Sequence, residues 1–255
     1  MTTSALIGYT GFVGSTLLQT DNYDALYNSS NITKIRGRQF SSVVCAGVSA
    51  VKWLANKEPE ADRQAIDSLK QNIREISTDH FILISTIDVY SNPVGVTEED
   101  SPDLSQAQPY GRHRRELELW AEAQFPKTTI IRLPGLFGHG LKKNLIYDLL
   151  KGSGTENISP NGVLQWYPMH RFSKDLAKVA ASQYRLVNIS PEPIPTKDIH
   201  SSFFERSTIG ANSLPGPRYD MQTRYPELLD GTDRYHITRQ QVLADLAKFT
   251  AEPRL

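Results

Sequence analysis

The chain has 255 residues, 39% of them hydrophobic and 22% charged, with 28 Lys+Arg against 28 Asp+Glu. Length and composition suit one large soluble domain, or a domain with a small appendage. A formal net charge of zero argues against nucleic acid or a membrane surface as partner, because both select a basic excess. The single cysteine, Cys45, excludes an intrachain disulfide and fits a reducing compartment. In the run Val43-Val44-Cys45-Ala46 it reads as a small buried hydrophobe. The start Met1-Thr2-Thr3-Ser4 has no charged or apolar leader character. No apolar run approaches the roughly 20 residues that span a bilayer. The expected setting is the cytoplasm.

Ala5-Leu6-Ile7 is a short apolar strand that runs into Gly8-Tyr9-Thr10-Gly11-Phe12-Val13-Gly14, and a helix is expected over about 13–20. Residues 24–27 suit a second strand and 42–46 a third. Ala61, Ala65, Ile66, Leu69, Ile73 and Ile76 recur at helical spacing across 60–76. The stretch 80–85 (His-Phe-Ile-Leu-Ile-Ser) has a continuous apolar centre, the pattern of a strand buried on both faces of a parallel sheet. A helix over 111–125 and a buried strand over 128–133 follow. Alternating strands and helices with continuous apolar strands predict an α/β, Rossmann-type doubly wound parallel sheet. Beyond Pro134, Gly and Pro become frequent. Helices are expected there over 144–151 and 239–250, and loops over 191–195 and 213–217. The expectation is a single domain over 1–255, in which about 135–255 forms a small, irregular substrate-side lobe partly packed on the sheet.

The glycine loop follows a strand and opens a helix, the context in which such a motif has meaning. Gly8 lets the chain leave the strand in a tight turn. Gly11 lets the backbone approach a pyrophosphate, and Gly14 lets the helix pack close to the sheet. The N–H groups of Thr10, Phe12 and Val13 and the helix dipole favour an anion there. The bland alternative is three glycines that only shape a turn. Sites of this kind place Asp or Glu at the end of the second strand to hold the adenosine ribose. Here that position reads Asn28-Ser29-Ser30-Asn31, and Asp24 lies too early. Without a carboxylate to repel a 2′-phosphate, NAD and NADP both remain open, with Lys34, Arg36 and Arg38 downstream as partners for the phosphate.

Two later segments lie where chemistry is expected, at or beyond the carboxyl ends of strands: Ile84-Ser85-Thr86-Ile87-Asp88-Val89-Tyr90 and Pro109-Tyr110-Gly111-Arg112-His113-Arg114. Tyr110 and Arg114 are four apart at a helix start and share one face. A cation beside a phenol favours the phenolate, and a tyrosine so tuned exchanges a proton with a substrate oxygen. Thr86 is placed to share that oxygen. The plain alternatives are a helix-entry residue for Tyr110, a turn cap for Thr86, a loop hydrogen-bonder for Asp88, and solvated side chains for Arg112, His113 and Arg115.

With these motifs and Arg132-Leu133-Pro134-Gly135-Leu136-Phe137-Gly138, the chain over about residues 4–180 resembles the extended short-chain dehydrogenase/reductase family of nucleotide-sugar epimerases, dehydratases and ketoreductases. The resemblance implies catalytic roles for Thr86, Tyr110 and Arg114, with position 114 holding the nicotinamide ribose. It implies cofactor contacts at Gly8, Thr10, Gly11, Phe12, Val13, Gly14, Asn28, Ser29, Ser30, Ala46, Gly47, Leu133 and Pro134. Asp88, Gly135, Lys143, Asn144 and Arg171 are expected on the substrate, with Trp166, Tyr167 and His170 as pocket or packing residues. No metal is expected.

The chain departs from the family pattern in four ways. Arg114 stands where the family carries Lys. Ile87-Asp88 replaces the acidic pair of the dehydratases, which argues against dehydration. Gly135 replaces an Asn, and the chain is short for an extended member. The implied activity is NAD(P)-dependent oxidoreduction or epimerisation of a sugar-type hydroxyl or ketone, nucleotide-linked, with a homodimer allowed. The alternatives are a cofactor-binding sensor or assembly protein with weak catalysis, and a ketoreductase for a non-sugar carbonyl.

Overall fold

A computed structural model describes residues 3–211 and 215–252; of the expected loop over 213–217, Ser213 and Leu214 lie outside the described residues. In chain order the elements are β1 (Ser4–Ile7), α1 (Phe12–Leu17), β2 (Ala25–Tyr27), β3 (Gln39–Cys45), α2 (Lys52–Lys57), α3 (Pro59–Ile73), β4 (Ser77–Thr86), β5 (Val94–Val96), α4 (Pro109–Gln124), β6 (Thr128–Leu133), β7 (Gly135–Phe137), α5 (Leu145–Lys151), β8 (Val163–Leu164), β9 (Trp166–Pro168), α6 (Phe172–Ala181), β10 (Leu186–Asn188), β11 (Ile194–Pro195), α7 (Thr196–Phe203), β12 (Asp220–Met221) and α8 (Arg239–Ala251). By internal contacts they form two units. The first is 1–91, 100–132 and 173–187; the second is 92–99, 133–172 and 188–255.

The first unit is built on a six-stranded sheet of order β10-β6-β4-β3-β1-β2. β2, β1, β3 and β4 pair in parallel, with Ile7 opposite both Tyr27 and Cys45, and Cys45 opposite Leu83. The chain therefore reverses its order across β1, which creates a crevice at the carboxyl ends of β1 and β3. Ala5, Ile7, Val43, Cys45, Phe81, Leu83 and Ile130 of the strands pack with Ile66, Leu69 and Ile73 of α3 and Leu117 and Ala121 of α4. Each fully buried Leu, Ile or Phe in this layer contributes about 1.5–3 kcal/mol. Pro59 and Pro109 begin α3 and α4, where a missing N–H costs nothing. Cys45 lies in the core, as expected, and burial pushes its thiol up to about 11.

Among its described residues the second unit has strands of two or three residues. β7 and β9 pair in parallel, β8 and β11 antiparallel, and β5 and β12 in parallel. Residues 194–195, expected in a loop, are therefore β11. α8 starts on a capping box in which Thr238 and Gln241 bond each other's backbone N–H. Three helices went unexpected: α2, α6 and α7. In α6 the signal was present, because Phe172, Leu176 and Val179 are buried at the spacing of one helix face.

Candidate active site

The crevice is lined by loops that leave β1, β2, β3 and β4. Gly8 turns with φ of +84°, and a Cβ on it would lie 2.3 Å from the Ala46 carbonyl oxygen. A Cβ on Gly14 would lie 2.2 Å from the Gly8 carbonyl oxygen. Both glycines are thus required by the chain's own packing. Gly11 differs. Its φ of −77° is ordinary, and a Cβ there would meet only the Gly8 oxygen, at 3.3 Å. Gly11 is the N-cap of α1 and offers no side-chain bond to the first-turn N–H groups. Thr10 and Gly11 are exposed, and Phe12 and Val13 are half-buried. An exposed backbone cradle without a Cβ, opening a helix, fits an oxyanion such as a pyrophosphate. Ala46 and Gly47 close the same crevice from β3, where the Ala46 N–H donates to the Ile7 carbonyl at 2.9 Å.

The end of β2 is a polar turn. The Asn28 N–H donates to Asn31 Oδ1 at 2.7 Å, and the Ser30 N–H and hydroxyl donate to Asn28 Oδ1 at 3.0 and 2.6 Å. Ser29 lies between them. Asp24 is at the opposite end of the strand, where its carboxylate accepts from the Ser4 N–H and hydroxyl; those bonds hold its carboxyl below the usual range. Arg36 donates to Asn72 and Arg38 lies over Phe40, so of the three downstream cations these two have partners within the chain. The β2 turn carries no carboxylate, and it fits a ribose with or without a 2′-phosphate.

Thr86 ends β4, and its hydroxyl accepts from the Asp88 N–H at 3.2 Å. It is thus a turn cap, and its side chain also favours the ionised form of the Tyr110 phenol. Tyr110 opens α4 and is buried; its own N–H donates to Asn56 Oδ1 of α2 at 2.9 Å. The structure therefore brings Thr86, Asp88, Tyr110 and Arg114 together. Burial drives the Tyr110 phenol above its ordinary value; Arg114, Thr86 and Lys52 pull the other way, and Asp88 adds to the rise. The expected lowering by Arg114 is real but is outweighed by desolvation.

Arg114 is buried and its guanidinium carbon stands 3.8 Å from the centre of the Tyr110 ring. One terminal nitrogen donates to Asp62 Oδ2 at 2.6 Å and to the Tyr110 carbonyl at 3.0 Å. The other donates to Asp62 Oδ1 at 2.8 Å and to the Ser49 carbonyl at 2.6 Å. Asp62 also bonds His113 Nδ1 at 2.8 Å; burial raises its carboxyl, but the bonds from Arg114 and His113 outweigh that and hold it below the usual range. Arg112, His113 and Arg115 are not solvated side chains. Arg112 donates to the Leu104 and Ala107 carbonyls, His113 is buried on Asp62, and Arg115 donates to Glu118 at 2.9 Å.

One turn further along α4, Glu118 is fully buried. It accepts from Ser85 at 2.5 Å and from Arg132 at 3.0 and 2.6 Å, while Arg132 also donates to the Tyr90 hydroxyl at 2.6 Å. This knot fixes α4 to β4 and β6, and so fixes the spacing of Tyr110 from Thr86. Asp62, Ser49, Asn56, Lys52 and Glu118 escape sequence reasoning because, apart from Arg115 beside Glu118, the partners named for them are 14 to 65 positions away; only the four-residue spacing of Lys52 and Asn56 hints at a shared face.

The remaining candidates belong to the second unit. Leu133 closes β6, and Pro134 leads into β7, where a Cβ on Gly135 would lie 2.9 Å from the Trp166 ring. Lys143 is exposed. Asn144 caps α5, accepting from the Tyr147 N–H at 3.0 Å and donating to the Leu136 carbonyl at 2.7 Å. Arg171 donates twice to Asp245 of α8, at 2.9 and 2.7 Å. Trp166 and Tyr167 are buried packing residues, and His170 is exposed. Among the described residues no group of three or more His, Cys, Asp or Glu is placed to hold a metal ion, and no helix is long and apolar enough to cross a membrane.

No family model and no curated protein sequence matches the chain. Solved structures do match it in fold. A dTDP-4-dehydrorhamnose reductase from Bacillus anthracis in complex with NADP is 15% identical, with 99% of this chain and 100% of that chain covered and a TM-score of 0.72. A UDP-glucose 4-epimerase from Thermotoga maritima with UDP-glucose is 12% identical over 88% and 91%, with a TM-score of 0.71. A dTDP-glucose 4,6-dehydratase from Streptomyces venezuelae with NAD and TYD bound is 16% identical over 98% and 97%, with a TM-score of 0.70. The chain therefore has the Rossmann-type α/β fold of these enzymes, as its alternating strands and helices predict.

Proposed function

We propose that the chain is an NAD(P)-dependent oxidoreductase or epimerase acting on a sugar-type hydroxyl or ketone, nucleotide-linked, and that ketone reduction is the reaction its resting site suits. The observation that carries this reading is the close packing of the start of α4, with its buried Tyr110, on the turn that Thr86 caps after β4, on the same edge of the sheet as the glycine cradle at the ends of β1 and β3. A bound nicotinamide supplies or accepts the hydride. Tyr110, whose burial keeps its phenol protonated at neutral pH, gives its proton to the substrate oxygen, and Thr86 orients that oxygen. The ketone carbon gains hydride, the oxygen gains the proton, and an alcohol results. Epimerisation begins instead with proton removal by a phenolate, a form that burial disfavours here.

Neither NAD nor NADP is excluded by the turn after β2. Lys143, exposed ahead of α5, is a candidate cation for a diphosphate. A reducing, cytoplasmic setting is supported by a lone buried Cys45. The reading that keeps cofactor binding but little catalysis draws on Arg114, whose charge is committed to Asp62.

One experiment separates them: fluorescence titration with NADH and NADPH, followed by a screen of nucleotide 4-ketosugars, nucleotide sugars and small ketones at the NAD(P)H absorbance. We expect binding of at least one cofactor and turnover that falls by about 10²–10⁴ in Tyr110→Phe. Turnover unchanged in Tyr110→Phe removes the proton-transfer role. Binding without turnover favours the non-catalytic reading, and no binding of either cofactor defeats both.

A further inference from the structure

The Arg114 guanidinium stands 3.8 Å from the centre of the Tyr110 ring. Helix spacing brings the two residues to one face, but it does not choose among the rotamers of so long a side chain, and a cation on a flexible stem turns toward water unless it is held. The holding group is on α3. Asp62 takes both arms of the fork, Nη1 on Oδ2 at 2.6 Å and Nη2 on Oδ1 at 2.8 Å. Such a bidentate pair fixes the orientation of a guanidinium as well as its place. The Tyr110 and Ser49 carbonyls also accept from these nitrogens, but each is neutral and each reaches one arm only.

Asp62 is itself fixed. It lies in the first turn of α3, which Pro59 opens, where the helix dipole favours a carboxylate. The same helix is tied to the core through Ile66, Leu69 and Ile73. Its carboxyl is held below the usual range, so it is ionised at neutral pH and only accepts. His113 Nδ1, 2.8 Å from Oδ2, therefore carries the proton of that bond and braces the carboxylate from α4. The side chains of Arg114, Asp62 and His113 are 4, 7 and 6% exposed, so little water reaches the cluster to replace a lost partner.

We propose that Asp62 is a positioning residue that acts on Tyr110 through Arg114: its carboxylate, anchored on α3, holds the guanidinium over the phenol ring, where negative charge develops as the phenol gives up its proton. This rests on the reading of Tyr110 as the proton-transfer group. Among the charged groups acting on that phenol, Arg114 of α4 contributes most in favour of the ionised form; Asp88 of the turn after β4 opposes it, and Lys52 of α2 adds less. A cation already in place needs no reorganisation when the charge appears, and Asp62 is what keeps it in place.

The test uses the full chain carrying isotope-labelled arginine, followed by NMR at neutral pH. Protons over an aromatic face are shifted upfield by its ring current, so the Arg114 side-chain signals, identified by their loss in Arg114→Lys, should lie upfield in the wild type and move back in Tyr110→Leu. We expect Asp62→Asn, which turns an N–H toward one arm of the fork, to remove most of that upfield displacement, and Asp62→Glu to keep more of it. A displacement that Asp62→Asn leaves in place overturns the proposal. Asp62→Ser, smaller and open to water, carries the same expectation if the asparagine disturbs the fold. On a substrate that the wild-type chain turns over, kcat in Asp62→Asn should fall by about 10–100-fold with KM little changed, and the double variant with Arg114→Met should be no slower than Arg114→Met alone. A released guanidinium with kcat unchanged overturns the proposal, as does a double variant slower than Arg114→Met. If the wild-type chain turns over no substrate, the function proposed above fails, and the NMR displacement still decides whether Asp62 holds Arg114 on the ring.

Discussion

The first unit satisfies its backbone with strands of three to ten residues joined in one sheet. The second has only strands of two or three residues. A buried backbone polar group needs a partner wherever it lies, so the second unit recruits side chains for the task. Gln165 donates to the Pro191 and Met221 carbonyls at 2.6 and 2.7 Å and accepts from the Met221 N–H at 2.7 Å. Glu98 accepts from the Asn188 and Arg224 N–H groups, each at 2.8 Å. His236 accepts from the Ser190 N–H at 3.2 Å and donates to the Tyr225 carbonyl at 3.1 Å. The first unit also bonds side chains to carbonyls, as Arg114 does at Tyr110 and Ser49, but along α4 its buried charges are paired with one another, Arg114 with Asp62 and Arg132 with Glu118. Where the sheet frees side chains from serving the backbone, they become available to build a site.

The comparison can be broken most severely at Glu118. Glu118→Ala leaves Arg132 buried without its carboxylate, and a loss of about 3–5 kcal/mol in denaturant unfolding is expected; a loss below 1 kcal/mol would mean that the α4 charge pairs are incidental. In the second unit, Gln165→Leu keeps the volume but strips partners from two carbonyls and one N–H. A cost of about 2–3 kcal/mol is expected, and a neutral result would show that water takes over the role of the amide.

The smallest effect sharpens the contrast through pH. His236 is buried, and desolvation lowers its ring from 6.5 to about 4. Its pKa is depressed in the fold, so protonation favours the unfolded chain. Its contribution is complete above about 6.5 and drains as pH falls toward about 4. Unfolding free energy should drop by about 2 kcal/mol between pH 7.5 and 5 from this group, with His80, also lowered by burial, adding in the same direction. His236→Gln should flatten that slope; an unchanged slope assigns it to other groups.

The same contrast explains what the sequence made legible. β1, β3, β4 and β6 are apolar runs, and α3 repeats its buried face, so the centre of the sheet was readable from pattern alone; the three-residue β10 at its edge was not. Gly8, Gly14, Thr86 and Tyr110 were readable because their residue types and spacing answer to local geometry. β5, β8, β9 and β12 are too short to carry a period, and their partners are set by distant side chains such as Gln165. α2 was missed for a different reason: Trp53 and Leu54 are exposed and Ala55 alone of its apolar residues is buried, so the pattern marks no buried face. Arg114 was read for its charge, but its partner Asp62 lies 52 positions earlier, and no local pattern connects them.

Gly11 stands apart from the two glycines beside it. Replacement at 8 or 14 collides with the chain's own carbonyls, so those positions are held by folding itself. Position 11 is held far less tightly, a Cβ there lying 3.3 Å from the same Gly8 oxygen against 2.2 Å at position 14. In a lineage that kept this architecture but abandoned its ligand, Gly8 and Gly14 would persist while residue 11 drifted to larger side chains. The middle glycine is thus a historical marker: across related genes, its retention or loss would separate descendants that still use the crevice from those that have only inherited its shape.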